Sequence, residues 1–278
     1  MSEISGTPPL LPDWASDDID PSVPSIARIY DYALGGSHNF SVDRELAELG
    51  RKRWPHSLRS AWTNRAFLRR AVTYCAEQGV TQFLDIGSGI PTAGNVHEIL
   101  ADLGVDARVV YTDIDPVAVV MSRRILADVP WATAIRADAR DLEAIVADPA
   151  VRAQLDFDKP VAVLLVALLH YIPASAEPHA MLAALRDRLV PGSMLVISHM
   201  TSAGWPAQEL ADTVEMSKQT PTPLIMRSLD EITALFDGFD LVEPGLVRVP
   251  QWRPDPDEDT SATYFDTVGA VGVKPGPR

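Results

Sequence analysis

Apolar positions keep helical spacing through the first third of the chain and then shorten into β-branched runs. From Ser25 to about Gly50, an apolar-periodic stretch, a Gly35-Gly36 break and a second periodic stretch predict two small helices joined by a tight turn. Leu58, Ala61, Trp62, Leu68, Ala71, Val72 and Cys75 hold the face of a third helix, with Gly79 as its stop. Beyond Gly79, short runs alternate with helix-length segments, the pattern of a parallel sheet with crossover helices. Strands are predicted at 82–86, 108–112, 133–136, 161–169 and 193–198. Between the first two, Val96, Ile99, Leu100 and Leu103 mark a helix face ended by Gly104, and Asp115-Pro116 opens the next helix as cap and first-turn proline. Further helices are predicted near 180–189, 206–217 and 229–236, and a strand near 239–242. A loop rich in proline and acid, 253–260, then leads to an alternating stretch, 263–273, expected to insert into the sheet as a hairpin partner.

These elements divide the 278 residues into an N-terminal arm (1–23) with the composition of a mobile segment, a helical segment (24–78) and an α/β core (79–278). Composition sets outer bounds: 46% hydrophobic and 22% charged residues describe an ordinary globular chain. A net charge of −14 argues against binding duplex nucleic acid or an anionic membrane surface, both of which select positive charge. Cys75, the single cysteine, excludes an internal disulfide and a thiolate metal cluster within this chain, and six scattered histidines make no metal motif. The opening stretch has acids and prolines where a secretory signal needs a basic and then an apolar segment. The longest apolar run, 161–169, is about half the roughly 20 residues of a membrane helix, so a cytoplasmic protein is expected.

Candidate chemistry gathers at predicted strand ends. Phe83-Leu84-Asp85-Ile86-Gly87-Ser88-Gly89 runs a strand into two glycines one residue apart, which lets a ligand approach the main chain, and a following helix N-terminus offers unpaired N–H groups. Such a turn also occurs without any ligand. Asp113, at the tip of the second strand, is placed to accept two ribose hydroxyls, while Asp115 before Pro116 serves as the helix cap; both acids could instead be caps. Asp138, after the third strand, is placed to accept an adenine amine, or is a solvated loop acid. In sequence order the three define a nucleoside site at one edge of a sheet. A nicotinamide fingerprint would place a third glycine where the chain has Thr92, and would not normally carry Asp85.

At this point the chain resembles class I S-adenosylmethionine-dependent methyltransferases, whose first motif, acid-x-Gly-x-Gly, is matched from Asp85 to Gly89, with Pro91 replacing the usual next glycine. The segments Ala27-Arg28-Ile29-Tyr30-Asp31-Tyr32-Ala33-Leu34-Gly35-Gly36 with Asn39-Phe40, and Asp85 through Thr92 with Asn95-Val96-His97-Glu98, are similar to an actinobacterial S-adenosyl methyltransferase family long described as a domain of unknown function. The likeness spans most of residues 22–273. It implies a Rossmann-like α/β fold with a mostly parallel seven-stranded sheet, the last strand antiparallel, helices on both faces, and an N-terminal helical lid. It further implies S-adenosylmethionine as cofactor, held by Asp85, Gly87, Ser88, Gly89, Asp113, Ile114, Asp138, Ala139 and Asn39.

Methyl transfer from a sulfonium is an in-line displacement that needs positioning and exclusion of water more than a nucleophile. For acceptors that lose a proton, His170 at the end of the fourth strand is the candidate base, with a packed histidine that only shapes the pocket as the other reading, and His199 ranks behind it. Tyr30, Asp31, His38 and Asn39 lie on the segment expected to close as a lid, with the Tyr30 ring near the sulfonium. His97 falls off the apolar face of its helix. Arg51-Lys52-Arg53 with Arg59, Arg65, Arg69 and Arg70 reads as a solvated basic face or a weak attractor of an anionic acceptor. The expected activity is methyl transfer to a small-molecule acceptor. The rivals are a non-catalytic S-adenosylmethionine-binding regulator and a nicotinamide-dependent oxidoreductase.

Overall fold

The computed structural model describes residues 19–55, 57–256, 258, 260 and 267–276. Three helices come first: α1 (Ile26–Ala33), α2 (Ser41–Arg53) and α3 (Ser57–Glu77). The α/β alternation follows as β1 (Gln82–Ile86), α4 (Val96–Asp102), β2 (Arg108–Asp113), α5 (Pro116–Ile125), β3 (Ala132–Arg136), α6 (Leu142–Ala147), α7 (Pro149–Gln154), β4 (Ala162–Val166), α8 (Pro178–Arg188) and β5 (Met194–Met200). The chain then adds α9 (Ala207–Ser217), α10 (Leu229–Ala234), β6 (Asp240–Leu241), β7 (Val247–Arg248) and β8 (Thr267–Val273).

One sheet of eight strands runs β3-β2-β1-β4-β5-β8-β6, with β7 also paired to β8. Strands β1 to β5 are parallel, whereas β8 is antiparallel to β5, β6 and β7. The expected seven strands thus become eight, because the outer edge of β8 is shared by two two-residue strands. Side chains alternate across this sheet at period two and feed two apolar layers. Leu84, Val163 and Leu195 face one layer with Ile145, Leu182 and Phe236. Phe83, Leu164 and Val196 face the other with Phe67, Leu68, Val72 and Leu100. Trp252 is buried in that second layer, its ring edge-on to Phe67 at 5.5 Å and to Tyr74 at 5.9 Å. Arg70 ties the same corner to α3 by donating to the carbonyls of Trp252 (2.8 Å) and Val249 (2.6 Å).

Several local expectations change. The fourth strand ends at Val166, not at 169, because Ala167 takes a left-handed φ of 57° and the chain turns into a 3₁₀ turn over Leu169–Tyr171. A uniformly apolar run carries no mark of that break. Residues 19–23 do not belong to a free arm: Ile19 is buried against Ile90, Val117, Ala118 and Met121. The expected arm over 1–18, and 263–266 of the final stretch, lie outside the described residues. His97 is also buried, with Nδ1 2.8 Å from the Tyr111 hydroxyl. Truncation of Trp252 to alanine should destabilise the fold by about 3–5 kcal/mol, the usual cost of deleting a buried aromatic, read as a lower denaturant midpoint at unchanged slope.

Candidate functional site

The parity that sorts apolar residues into two layers also sorts the acids. Asp85 lies two residues beyond Phe83, and Asp113 two beyond Tyr111, so both carboxylates stand at strand ends on the α3 side of the sheet. Between them, Gly87 and Gly89 both adopt φ +69°. A Cβ on Gly87 would come within 2.5 Å of Leu168 Cδ1, so this position needs glycine for space as well as for its backbone angle.

The turn is fastened to β2. The N–H groups of Gly87 and Ser88 both donate to the Thr112 carbonyl (2.8 and 3.1 Å), and Gly89 N–H donates to Asp113 Oδ2 (2.8 Å). Asp113 Oδ1 accepts from the Asp115 N–H (2.8 Å), and Asp115 in turn caps α5 by accepting from the Val117 N–H (2.8 Å). The sequence-based expectation of unpaired N–H groups beyond the turn is therefore corrected. They are used within the protein, and α4 starts only at Val96, its cap closed by a Glu98 carboxylate that accepts from the Asn95 N–H (2.8 Å). With the N–H groups of Gly87, Ser88 and Gly89 spent in this way, the turn does not present the outward-facing donors of a pyrophosphate site.

A cavity of about 660 Å³ opens above these strand ends, within the range of small-ligand sites. It brings together Asp85, Gly87, Ser88, Gly89, Asp113, Ile114, Asp138, Ala139 and Tyr30. Asp138 is paired there with Arg140, whose Nε lies 2.9 Å from its Oδ1, and this pairing holds the carboxyl below its ordinary range. The opposite wall is largely apolar: Leu168, Ile172 and Pro173 after β4, and Pro221, Pro223 and Ile225 before α10.

Asn39, expected among the cofactor ligands, does not line the cavity, and its side chain is engaged within the chain. Its Nδ2 donates to Asp31 Oδ2 (2.7 Å) and to the Gly36 carbonyl (3.0 Å), and its Oδ1 accepts from Arg44 (3.0 Å). Asp31 is buried and also accepts from the His38 N–H (2.9 Å) and from Thr92 Oγ1 (2.5 Å), which joins α1 to the loop after Gly89. A second fastening joins Ser25 and Arg28 to the cap of α5. Ser25 Oγ donates to Asp115 Oδ2, the Ser25 N–H donates to Asp43 Oδ1 (2.8 Å), and Arg28 Nε lies 3.3 Å from Asp43 Oδ2.

His170 and His199 are buried and stand outside the cavity lining. His170 Nδ1 accepts from the Met200 N–H (3.3 Å), and burial drives its pKa well below the ordinary value. His199 Nδ1 lies 2.7 Å from the Met200 carbonyl, while Nε2 lies 2.7 Å from an Arg227 guanidinium nitrogen. Arg227 also donates to the carbonyls of Leu169 (2.7 Å) and Ile172 (2.9 Å). The expected base is therefore placed behind the wall, where the cluster shapes the turn bearing Tyr171. The basic run divides as well: Arg51 pairs with Glu48, Arg53 with Asp212 and Arg69 with Asp255, Arg70 is buried, and Arg65 faces the cavity. The basic run as read from sequence includes Arg65 without singling it out, because its separation from the rest depends on the helix phase of α3.

Residues 12–275 match the profile of a family described as S-adenosyl methyltransferase. Among solved structures, a "putative methyltransferase" from Thermobifida fusca YX is 39% identical, with a TM-score of 0.86 over 91% of this chain and 96% of that one. A DUF574 family protein from Streptomyces avermitilis MA-4680 is 34% identical, with a TM-score of 0.86 over 92% of this chain and 99% of that one. No curated protein matches the sequence.

Burial dominates the electrostatics of the two strand-end acids. It pushes Asp85 up to about 7, opposed by the Arg65 charge and reinforced by Asp113. Asp113 rises to about 6, held down partly by the N–H groups of Asp115 and Gly89. Because the folded pKa of Asp85 exceeds its unfolded value near 4, its contribution to stability is full below about pH 4 and is lost as pH rises through about 7. Asp85→Asn should therefore gain on the wild type as pH rises from 5 to 8, by on the order of 2 kcal/mol in the ligand-free protein. Paired denaturant titrations at the two pH values measure it, and a pH-independent difference would contradict the burial argument.

Proposed function

Since the chain belongs to the S-adenosyl methyltransferase family, we propose that its cavity holds S-adenosylmethionine along the ends of β1 to β4, with a small acceptor against the apolar wall. The protein is an S-adenosylmethionine-dependent methyltransferase; the proposal concerns where its two substrates lie and which residues serve them. One observation carries it: a single cavity gathers the glycine turn and acids from three successive strand ends.

The donor set fits the cofactor. Each Asp113 oxygen already takes one backbone N–H and keeps lone-pair capacity for a ribose hydroxyl. Ile114, about half exposed, offers an apolar face to an adenine, and Asp138 and Ala139 border the same end. Nothing in the turn calls for phosphate, which disfavours a dinucleotide. When bound, the cofactor supplies a methyl group already activated as a sulfonium.

The protein's own work is then to orient and to keep water out. Residues 24–78 act as the lid over the 79–278 core, held shut through Asp31 with Thr92 and through Ser25 with Asp115. Leu168, Tyr171 and the Pro221–Pro223 segment confine the acceptor. No histidine lines the cavity among the described residues, and an acceptor that brings its own lone pair needs none. That suits amines, thiols and acidic phenols better than alcohols. His170 and Arg227 position Tyr171 by fixing its turn.

Calorimetric titration tests the reading. S-adenosylmethionine and S-adenosylhomocysteine should bind, NAD should not, and Asp113→Ala should weaken the first two at least tenfold, the loss of about one charged hydrogen bond. Binding of NAD alone would overturn it. Asp31→Ala should speed proteolytic cleavage within residues 19–43 and weaken donor affinity while the core transition persists; protection equal to the wild type would remove the lid from the account.

A further inference from the structure

The apolar wall of the cavity carries little that can bond to an acceptor. Of the lining residues in 168–173 and 221–225, only Tyr171 and Thr222 have polar side chains, and Thr222 is exposed. Tyr171 is held everywhere except at its hydroxyl. Its N–H donates to the Leu168 carbonyl (2.9 Å), its ring meets the His170 ring at 4.4 Å between centroids, and Arg227 fastens the carbonyls of Leu169 before it and Ile172 after it. The hydroxyl makes no hydrogen bond among the described residues. Tyr30, the other tyrosine lining the cavity, is committed: its hydroxyl donates to the Ala61 carbonyl and accepts from Asn64 Nδ2, both at 3.0 Å.

Burial, reinforced by Tyr30, raises the pKa of Tyr171, so its hydroxyl stays protonated near neutrality. It is no base, and the other lining residues of this wall supply none. An acceptor seated there must arrive with a free lone pair. Neutral phenols and thiols need a proton removed first, and an alkylamine arrives as an ammonium whose lone pair is occupied. A phenolate or thiolate would be held by O–H donation that is strongest before its charge is spent, which opposes transfer. An aromatic amine is neutral in water, and it has both a lone pair and an N–H that the Tyr171 oxygen can accept. As the nitrogen becomes cationic that bond turns charge-assisted, so it strengthens toward the transition state.

We infer that Tyr171 orients the acceptor and that the acceptor is an aromatic amine, its ring against the apolar wall and one N–H on the Tyr171 hydroxyl. This deepens the methyltransferase reading and rests on the acceptor lying against that wall. The nitrogen lone pair forms the N–C bond, and the C–S pair returns to sulfur as S-adenosylhomocysteine leaves. The methylated nitrogen gives up its proton to solvent on release.

The test uses the full chain with S-adenosylmethionine and four probes: α-naphthylamine, α-naphthol, α-naphthalenethiol and cyclohexylamine. At neutral pH α-naphthylamine should show the highest kcat/KM, and a faster naphthol, thiol or alkylamine overturns the assignment. Tyr171→Phe keeps the ring packed on His170 and should lower kcat/KM for α-naphthylamine at least tenfold, while the KM for S-adenosylmethionine changes less than twofold. Calorimetry on the S-adenosylhomocysteine complex separates orientation from packing. There the variant should weaken α-naphthylamine about fivefold and leave N,N-dimethyl-α-naphthylamine, which has no N–H, unchanged. Equal losses for both amines would show a packing role, and no loss for either would show no role; each overturns the proposal. If S-adenosylhomocysteine binds and no probe does, the aromatic-amine assignment falls while the donor site stands. If S-adenosylhomocysteine itself fails to bind, the donor site fails and the acceptor assignment with it.

Discussion

A carboxylate withdrawn from water must find donors or a counter-charge. Five aspartates buried at one end of this sheet, Asp31, Asp43, Asp85, Asp113 and Asp115, impose that demand on everything around them. Four are answered from within the chain. Asp113 takes N–H groups from the glycine turn and from Asp115, Asp115 takes them from the first turn of α5, and Asp43 and Asp31 take theirs from the bends around α1 and α2. The route of the N-terminal segment across the strand ends is thereby the route that brings donors to acids. Among the described residues, Asp85 alone of the five is left without a hydrogen bond, in the cavity where a ligand could supply one.

The same accounting separates two cofactor chemistries that share a fold outline. A phosphate-binding turn keeps its N–H groups free and aimed outward. This one gives those of Gly87, Ser88 and Gly89 to the Thr112 carbonyl and Asp113, which leaves the cavity lined with acids. Such a lining suits a nucleoside with a cationic tail. It is unsuited to a chain of phosphates.

Elements marked by local chemistry were legible in the sequence. The bounds of β1, the cap at Asp115 and the glycine turn follow from strand patterning, a proline at the first helical position and the need for positive φ. The helices α6 and α7 went unread although Asp141 and Asp148-Pro149 carry the same capping signals as Asp115-Pro116, because their apolar faces are too short to establish a period. Site residues divide along the same line. The place of Asp113 and Asp138 in the cavity lining follows from their standing at strand ends, whereas nothing local in the sequence reveals that Asp31 claims the Asn39 amide. Arg65 was hidden in a basic run, and only the packing of α3 against the sheet singles it out.

β8 follows every other strand in the chain yet pairs between β5 and β6. During synthesis at roughly 5–20 residues per second, the far edge of β5 must therefore wait for β8 to leave the ribosome before it is covered. Until then a seven-residue buried strand presents open N–H and C=O groups to any chain nearby. Chains cut short before Thr267 would lack their own edge cover and offer β5 as a template for association, so the late arrival of β8 bears on solubility as much as on the site.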